Sequence, residues 1–226
     1  MNFSFLEIFL IILTQIVILF LYHIFTKKEP IKKDKFKDKL ELLNAILKNT
    51  KHDSIITLDK LKDVELESDN IYVFSQDIYR DVKDNGQFSK NMNNIGTFYE
   101  TVAENISNDK LYYYFLKKDA NYRHSLISFF TSHTNTDNIH FCIIPSEKYF
   151  FYDEVYLYET NGEYSAFEFL PSISNEKEQR LYYLELDQTQ VNRLKVIKEN
   201  IFYKYEKDSL EEVNAIKDKL GEFPKI

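Results

Sequence analysis

The run Ser75-Gln76-Asp77-Ile78-Tyr79-Arg80-Asp81 gathers a hydroxyl, two carboxylates and a guanidinium, and it directly follows the β-rich Ile71-Tyr72-Val73-Phe74. Ligands of open α/β sheets sit beyond the carboxyl ends of the strands, so a binding site is expected here. A second strand-like run, Leu-Tyr-Tyr-Tyr-Phe-Leu at 111–116, ends in Lys117-Lys118-Asp119, with Arg123-His124 close behind. If these strands are parallel neighbours, Ser75, Asp77, Arg80, Lys117, Lys118 and Arg123 share one rim. Such a rim holds a phosphate or another anion through charge-assisted hydrogen bonds. The plain alternative is a polar loop with local Asx caps and surface ion pairs. On the anion reading, reversing Arg80 and Lys117 together is expected to abolish a ligand response while leaving stability nearly unchanged, as for exposed charges.

Other chemistries lack their residues. The four glycines, Gly86, Gly96, Gly162 and Gly221, are scattered, so no P-loop, dinucleotide fingerprint or nucleophile elbow is present. A single cysteine, Cys142, rules out a thiolate zinc site and an internal disulfide. The five histidines form no His-Glu-x-x-His pair, and the carboxylates pair nowhere in an acid/base spacing. No catalytic residue, cofactor or metal is therefore expected. The formal net charge of −7 argues against direct DNA binding.

The elements that position the rim are read from periodicity. Thr57 caps a helix over 58–66, and Ile95, Phe98, Val102 and Ile106 mark one face of the next. A helix over 122–130 and a strand over 139–144 follow. Asn161-Gly162 between 155–160 and 163–169 signals a type I′ hairpin. A further strand is expected over 181–186, then a helix lined by Val191, Leu194, Ile197 and Ile201. A separate last helix is expected, capped by Asp208 or Ser209 with Glu211 or Glu212 at the capping-box position. The fold class expected is α/β: an N-terminal transmembrane helix plus one mixed domain with a partly parallel sheet and an antiparallel hairpin extension.

From Phe3 to Phe25 the only charged side chain is Glu7. At ~1.5 Å per residue this stretch reaches roughly 35 Å, the length of a membrane span. No basic region precedes it and no small-x-small site follows, which favours an anchor over a cleaved signal peptide. Lys27, Lys28, Lys32, Lys33, Lys35, Lys37 and Lys39 follow, placing the C-terminal side in the cytoplasm and the chain in the inner (plasma) membrane as a single-pass protein. Expected domains are a transmembrane helix at 1–26, a basic juxtamembrane and linker helix at 27–51, and a cytoplasmic α/β domain at 52–226. Glu7, Thr14 and Gln15 form a polar stripe in the span, and Phe36, Leu40, Leu43 and Leu47 an oligomer seam. Expected partners are the lipid bilayer and further copies of the chain, alongside a small anionic ligand.

The stretch ITLDKLKDVELESDNIYVFSQDIYRDV, the helix carrying Val102-Ala103-Glu104-Asn105-Ile106, and KLYYYFLKKD resemble a phospholipase-D-like domain that recurs in uncharacterised bacterial regulators. The resemblance covers residues 57–144. Catalytic members of that superfamily carry His-x-Lys, whereas His140-Phe141-Cys142 lacks the lysine. The resemblance therefore implies a degenerate fold used for sensing or binding.

The function expected is a membrane-anchored signalling or defence effector. Its cytoplasmic domain would sense a small anionic ligand, a nucleotide among the options, or a partner, and act through an oligomerising membrane helix. The plan is similar to that of bacterial antiviral effectors, an argument from architecture. The alternatives are a membrane-tethered phosphodiesterase or nuclease of phospholipase-D type, and a passive anchor for a partner complex.

Overall fold

The computed structural model describes residues 54–84, 94–151, 153–171, 174 and 180–221. Strand β1 (Ile55–Thr57) leads into helix α1 (Leu58–Glu67), and β2 (Asn70–Ser75) is followed by a 3₁₀ turn at Tyr79–Asp81. Then come α2 (Tyr99–Ser107), β3 (Leu111–Lys118), α3 (Tyr122–Ser132) and β4 (Ile139–Pro145). Strands β5 (Val155–Thr160), β6 (Glu163–Phe169) and β7 (Tyr182–Glu185) precede the long α4 (Gln188–Gly221).

The seven strands form one mixed sheet in the order β1-β7-β6-β5-β2-β3-β4. Strands β2, β3 and β4 are parallel, joined by α2 and α3, while β5 returns to lie antiparallel beside β2. Alternate residues of β2 separate two cores. Ile71 and Val73 pack with Leu61, Val102, Leu126 and Phe129 from α1, α2 and α3. Tyr72 and Phe74 pack on the other face with Val191 and Leu194 of α4. Burial on both faces is why these strands read as continuous apolar runs.

Local chemistry sets the boundaries. The Thr57 hydroxyl accepts the Lys60 N–H at 3.4 Å, capping α1 as expected. Asn161 and Gly162 have φ of 54° and 82°, the positive values a type I′ turn requires at both central positions. Ile95 lies in the turn before α2, although Phe98, Val102 and Ile106 do face the core.

Three expectations are corrected. Among the described residues no helix is long and apolar enough to cross a membrane, so the described fold is a mixed α/β domain and the transmembrane element leaves the fold class. The polar stripe Glu7, Thr14, Gln15 and the seam Phe36, Leu40, Leu43, Leu47 lie outside the described residues, as do 1–26 and 27–51. Second, Ile55–Thr57, where no strand is expected, forms β1, which pairs with β7 (Ile56 against Tyr183) at the sheet's outer edge. Third, there is no break at Ser209: α4 runs unbroken for 34 residues, about 51 Å.

Ser209 is buried inside that helix. Its hydroxyl donates to the Tyr205 carbonyl at 2.6 Å and accepts the Ile143 N–H at 2.8 Å. It thus satisfies a backbone donor on β4, the opposite edge strand of the sheet. Ser209→Ala should cost about 1–2 kcal/mol, the penalty for a buried donor left without a partner. Faster amide exchange at Ile143 is the direct readout, and unchanged exchange there would contradict this role.

Candidate functional site

The condition set by the sequence is met, since β2 and β3 are parallel neighbours with Ser75 opposite Leu116. Their carboxyl ends carry the six rim residues, which divide into two groups.

The first group faces inward. The Ser75 hydroxyl donates to Glu154 Oε1 at 3.2 Å and accepts the Asp77 N–H. Asp77 Oδ1 in turn accepts the Tyr79 N–H at 3.2 Å, which starts the 3₁₀ turn. That turn aims Arg80 into the domain. Its guanidinium lies 2.8 Å from Glu154 Oε2, donates to the Tyr183 hydroxyl at 2.9 Å, and covers the Phe169 ring at 4.1 Å. The side chain is only 13 % exposed. Reversing Arg80 therefore strikes a buried ion pair, and the expectation of unchanged stability is corrected on that ground.

The second group faces outward and converges on Glu212 of α4. Lys118 Nζ is 2.9 Å from Glu212 Oε2, Arg123 Nη2 is 3.2 Å from Oε1, and the Tyr122 hydroxyl donates to the same Oε1. Arg123 Nε also donates to the Tyr122 hydroxyl at 2.8 Å. Burial alone would raise the Glu212 carboxyl, but hydrogen bonds from Tyr122, Lys118 and Arg123 hold it below its usual value. Lys117 is half-buried at the end of β3 and has no ion pair among the described residues. The first turn of α3 contains Arg123 and His124 and no acid, and the Asn121 side chain makes no capping bond. Just before it, Asp119 Oδ1 accepts the Asn121 N–H at 2.7 Å, while Glu212 meets the cationic and hydroxyl side chains beside this end.

Sequence reasoning missed the polar interior behind this rim. Glu65 accepts from Tyr112 on Oε1 and from Tyr158 on Oε2, both at 2.8 Å, and Asn105 Nδ2 donates to Tyr112 at 2.8 Å. Burial pushes the Glu65 carboxyl up to about 7. Asp81 is buried too and is raised well above its usual value by desolvation, with Glu65 and Glu154 adding to the effect and the Tyr114 hydroxyl opposing it. His133 Nε2 donates to the Asp81 carbonyl at 2.7 Å. The signal was tyrosine at alternate positions, Tyr112 and Tyr114 on β3 and Tyr156 and Tyr158 on β5, which places the hydroxyls on one face.

His140, nearest to the phospholipase-D motif, lies elsewhere. It opposes Tyr113 in register and stacks on that ring at 4.8 Å, about four residues or ~13 Å up the strand from the Lys117 level. Burial holds its imidazole below the usual value. Cys142 beside it is buried, its thiol pushed up to about 12, which leaves it unreactive. Among the described residues no group of three His, Cys, Asp or Glu side chains is placed to hold a metal ion.

No family model matches the sequence, and no curated protein matches it. Among solved structures, TrmBL2, an archaeal chromatin protein described as showing a novel mode of DNA binding, superposes with a TM-score of 0.38 at 11 % identity. The alignment covers 77 % of this chain and 63 % of that one, so this chain spans less than two thirds of its length. A likeness at that score assigns neither fold family nor function.

Proposed function

We propose that the domain is a binding module that senses a small phosphate-bearing anion, of which a nucleotide is one form, rather than an enzyme. The observation that carries this reading is the setting of Glu212: a carboxylate from a distant helix held by Lys118, Arg123 and Tyr122 beside the start of α3. A carboxylate there mimics the ligand class the site accepts. Lys118 and Arg123 supply the charge-assisted contacts to a multiply charged anion. Arg80 is committed to Glu154 and acts as fixed support for the turn behind the rim. An incoming anion competes with Glu212, and its release would loosen the C-terminal half of α4 from α3, converting occupancy into movement.

Pyrophosphate titrated into the full chain tests this. Glu212→Gln removes the competing charge and should tighten pyrophosphate binding roughly fivefold, while Lys118→Glu with Arg123→Glu should abolish it. Equal or weaker binding by Glu212→Gln would sink the competition, and binding that survives the double reversal would sink the site.

A further inference from the structure

Among the described residues five large apolar side chains are exposed: Ile127, Phe150, Val196, Tyr203 and Leu210. The last three lie on α4 at intervals of seven residues, so they form one stripe along the helix. Val191, Leu194 and Ile216 are buried on the far side of the helix, and Val213, also buried, lies on the flank next to Leu210. Tyr203 is 92 % exposed, an unusual place for a large aromatic ring on a helix whose other face is already packed.

We propose that this stripe is where two copies of the chain pair, their α4 helices antiparallel and the two-fold axis at Tyr203. In that arrangement the residue n positions after Tyr203 faces the residue n positions before it in the partner. Tyr203 then meets its own copy, and Val196 meets Leu210. The flanking charges obey the same symmetry: Glu199 and Lys207 are each four positions from Tyr203, so acid faces base twice across the axis. Both are exposed, and neither forms a salt bridge among the described residues. A parallel pairing would set Glu199 against Glu199 and Lys207 against Lys207, which opposes association. A foreign partner would have no reason to match a stripe that is symmetric about its own midpoint.

The size of the stripe sets the strength. From Val196 to Leu210 is about 21 Å at ~1.5 Å per residue, three apolar layers and two charge pairs. That is below the roughly 1,200 Å² of a stable interface, so a reversible dimer is expected, formed at tens of micromolar or higher. The inference does not depend on the anion site.

Cysteine crosslinking of the full chain reads the geometry, and the native Cys142 is buried and silent. A disulfide needs Cα atoms within about 7 Å, so only residues that face each other link. Tyr203→Cys should form a disulfide dimer under mild oxidation. Val196→Cys and Leu210→Cys should each link poorly alone but join each other when mixed, roughly tenfold faster. Lys207→Glu should suppress the Tyr203→Cys dimer, and adding Glu199→Lys should restore it. Absence of the Tyr203→Cys dimer overturns the proposal, as does self-linking by Val196→Cys at the same rate. A link within one chain between Tyr203→Cys and Leu43→Cys would also overturn it, assigning the stripe to residues 27–51 of the same molecule.

Discussion

Replacing Glu65 by glutamine should stabilise the domain at about pH 8 and leave it little changed below pH 4.5. In the folded protein this carboxyl is 1 % exposed and is raised from 4.5 to about 7, burial being the larger cause and the Tyr112 and Tyr158 hydroxyls opposing it. The folded state therefore holds the proton more tightly than the unfolded chain does. Its contribution to stability is fully present below the unfolded value and is lost as pH rises through the folded one. The window is pH 4.5 to about 7. Across it the loss is of order 3 kcal/mol, from about 1.4 kcal/mol per unit. Glutamine stands in for the uncharged acid, with a carbonyl acceptor for one tyrosine and an NH2 group of two donors facing the other. Asp77, Asp81 and Glu154 are also raised and push the wild-type curve the same way, while His133 and His140, held below their usual value, push it the other way. The difference between wild type and Glu65→Gln in urea unfolding removes most of these common contributions. A difference that stays flat from pH 4.5 to 7 would falsify the assignment.

Glu65 also shows what the sequence does and does not reveal. Leu58, Leu61 and Glu65 stand at i, i+3 and i+7, so the helical period already placed this acid on the inward face of α1. Its partners lie 47 and 93 residues away on β3 and β5, and no local pattern names them. The rim behaves alike. Its six residues were legible because strand ends are legible, and the parallel β2–β3 pairing brought both ends together. Glu154, Glu212 and Tyr183, which decide what those cations do, come from a loop, a distant helix and a non-adjacent strand. Strands buried on both faces and an Asn-Gly turn announce themselves through local sterics. The three-residue β1 does not, because its hydrogen bonds go to a strand more than a hundred residues on. Ser209 misled for a related reason. Its local chemistry is that of a helix cap, but the edge of β4 supplies a donor that makes a mid-helix hydroxyl the better-satisfied choice.

Arg80→Met should destabilise the domain by roughly 3–5 kcal/mol at neutral pH, because it leaves Glu154 buried without its cation. The pair is well enclosed, with side-chain exposures of 13 % and 11 %, so solvent screens it little. The guanidinium also anchors the Tyr183 hydroxyl and covers Phe169, and methionine replaces only the apolar part of that contact. Arg80→Met combined with Glu154→Gln removes the stranded charge and should recover a large part of the loss, leaving a coupling energy of roughly 1–3 kcal/mol in a double-mutant cycle. The pH dependence separates charge from packing. Burial raises the Glu154 carboxyl and Arg80 is the main influence that lowers it, so removing Arg80 lets it climb further. The deficit of Arg80→Met relative to wild type must then grow as pH rises above the already raised value of wild-type Glu154 and shrink as Glu154 takes up its proton. A deficit independent of pH would mean that Arg80 serves by packing on Phe169 alone. A double variant no more stable than the single one would mean that Glu154 is not stranded when Arg80 is gone.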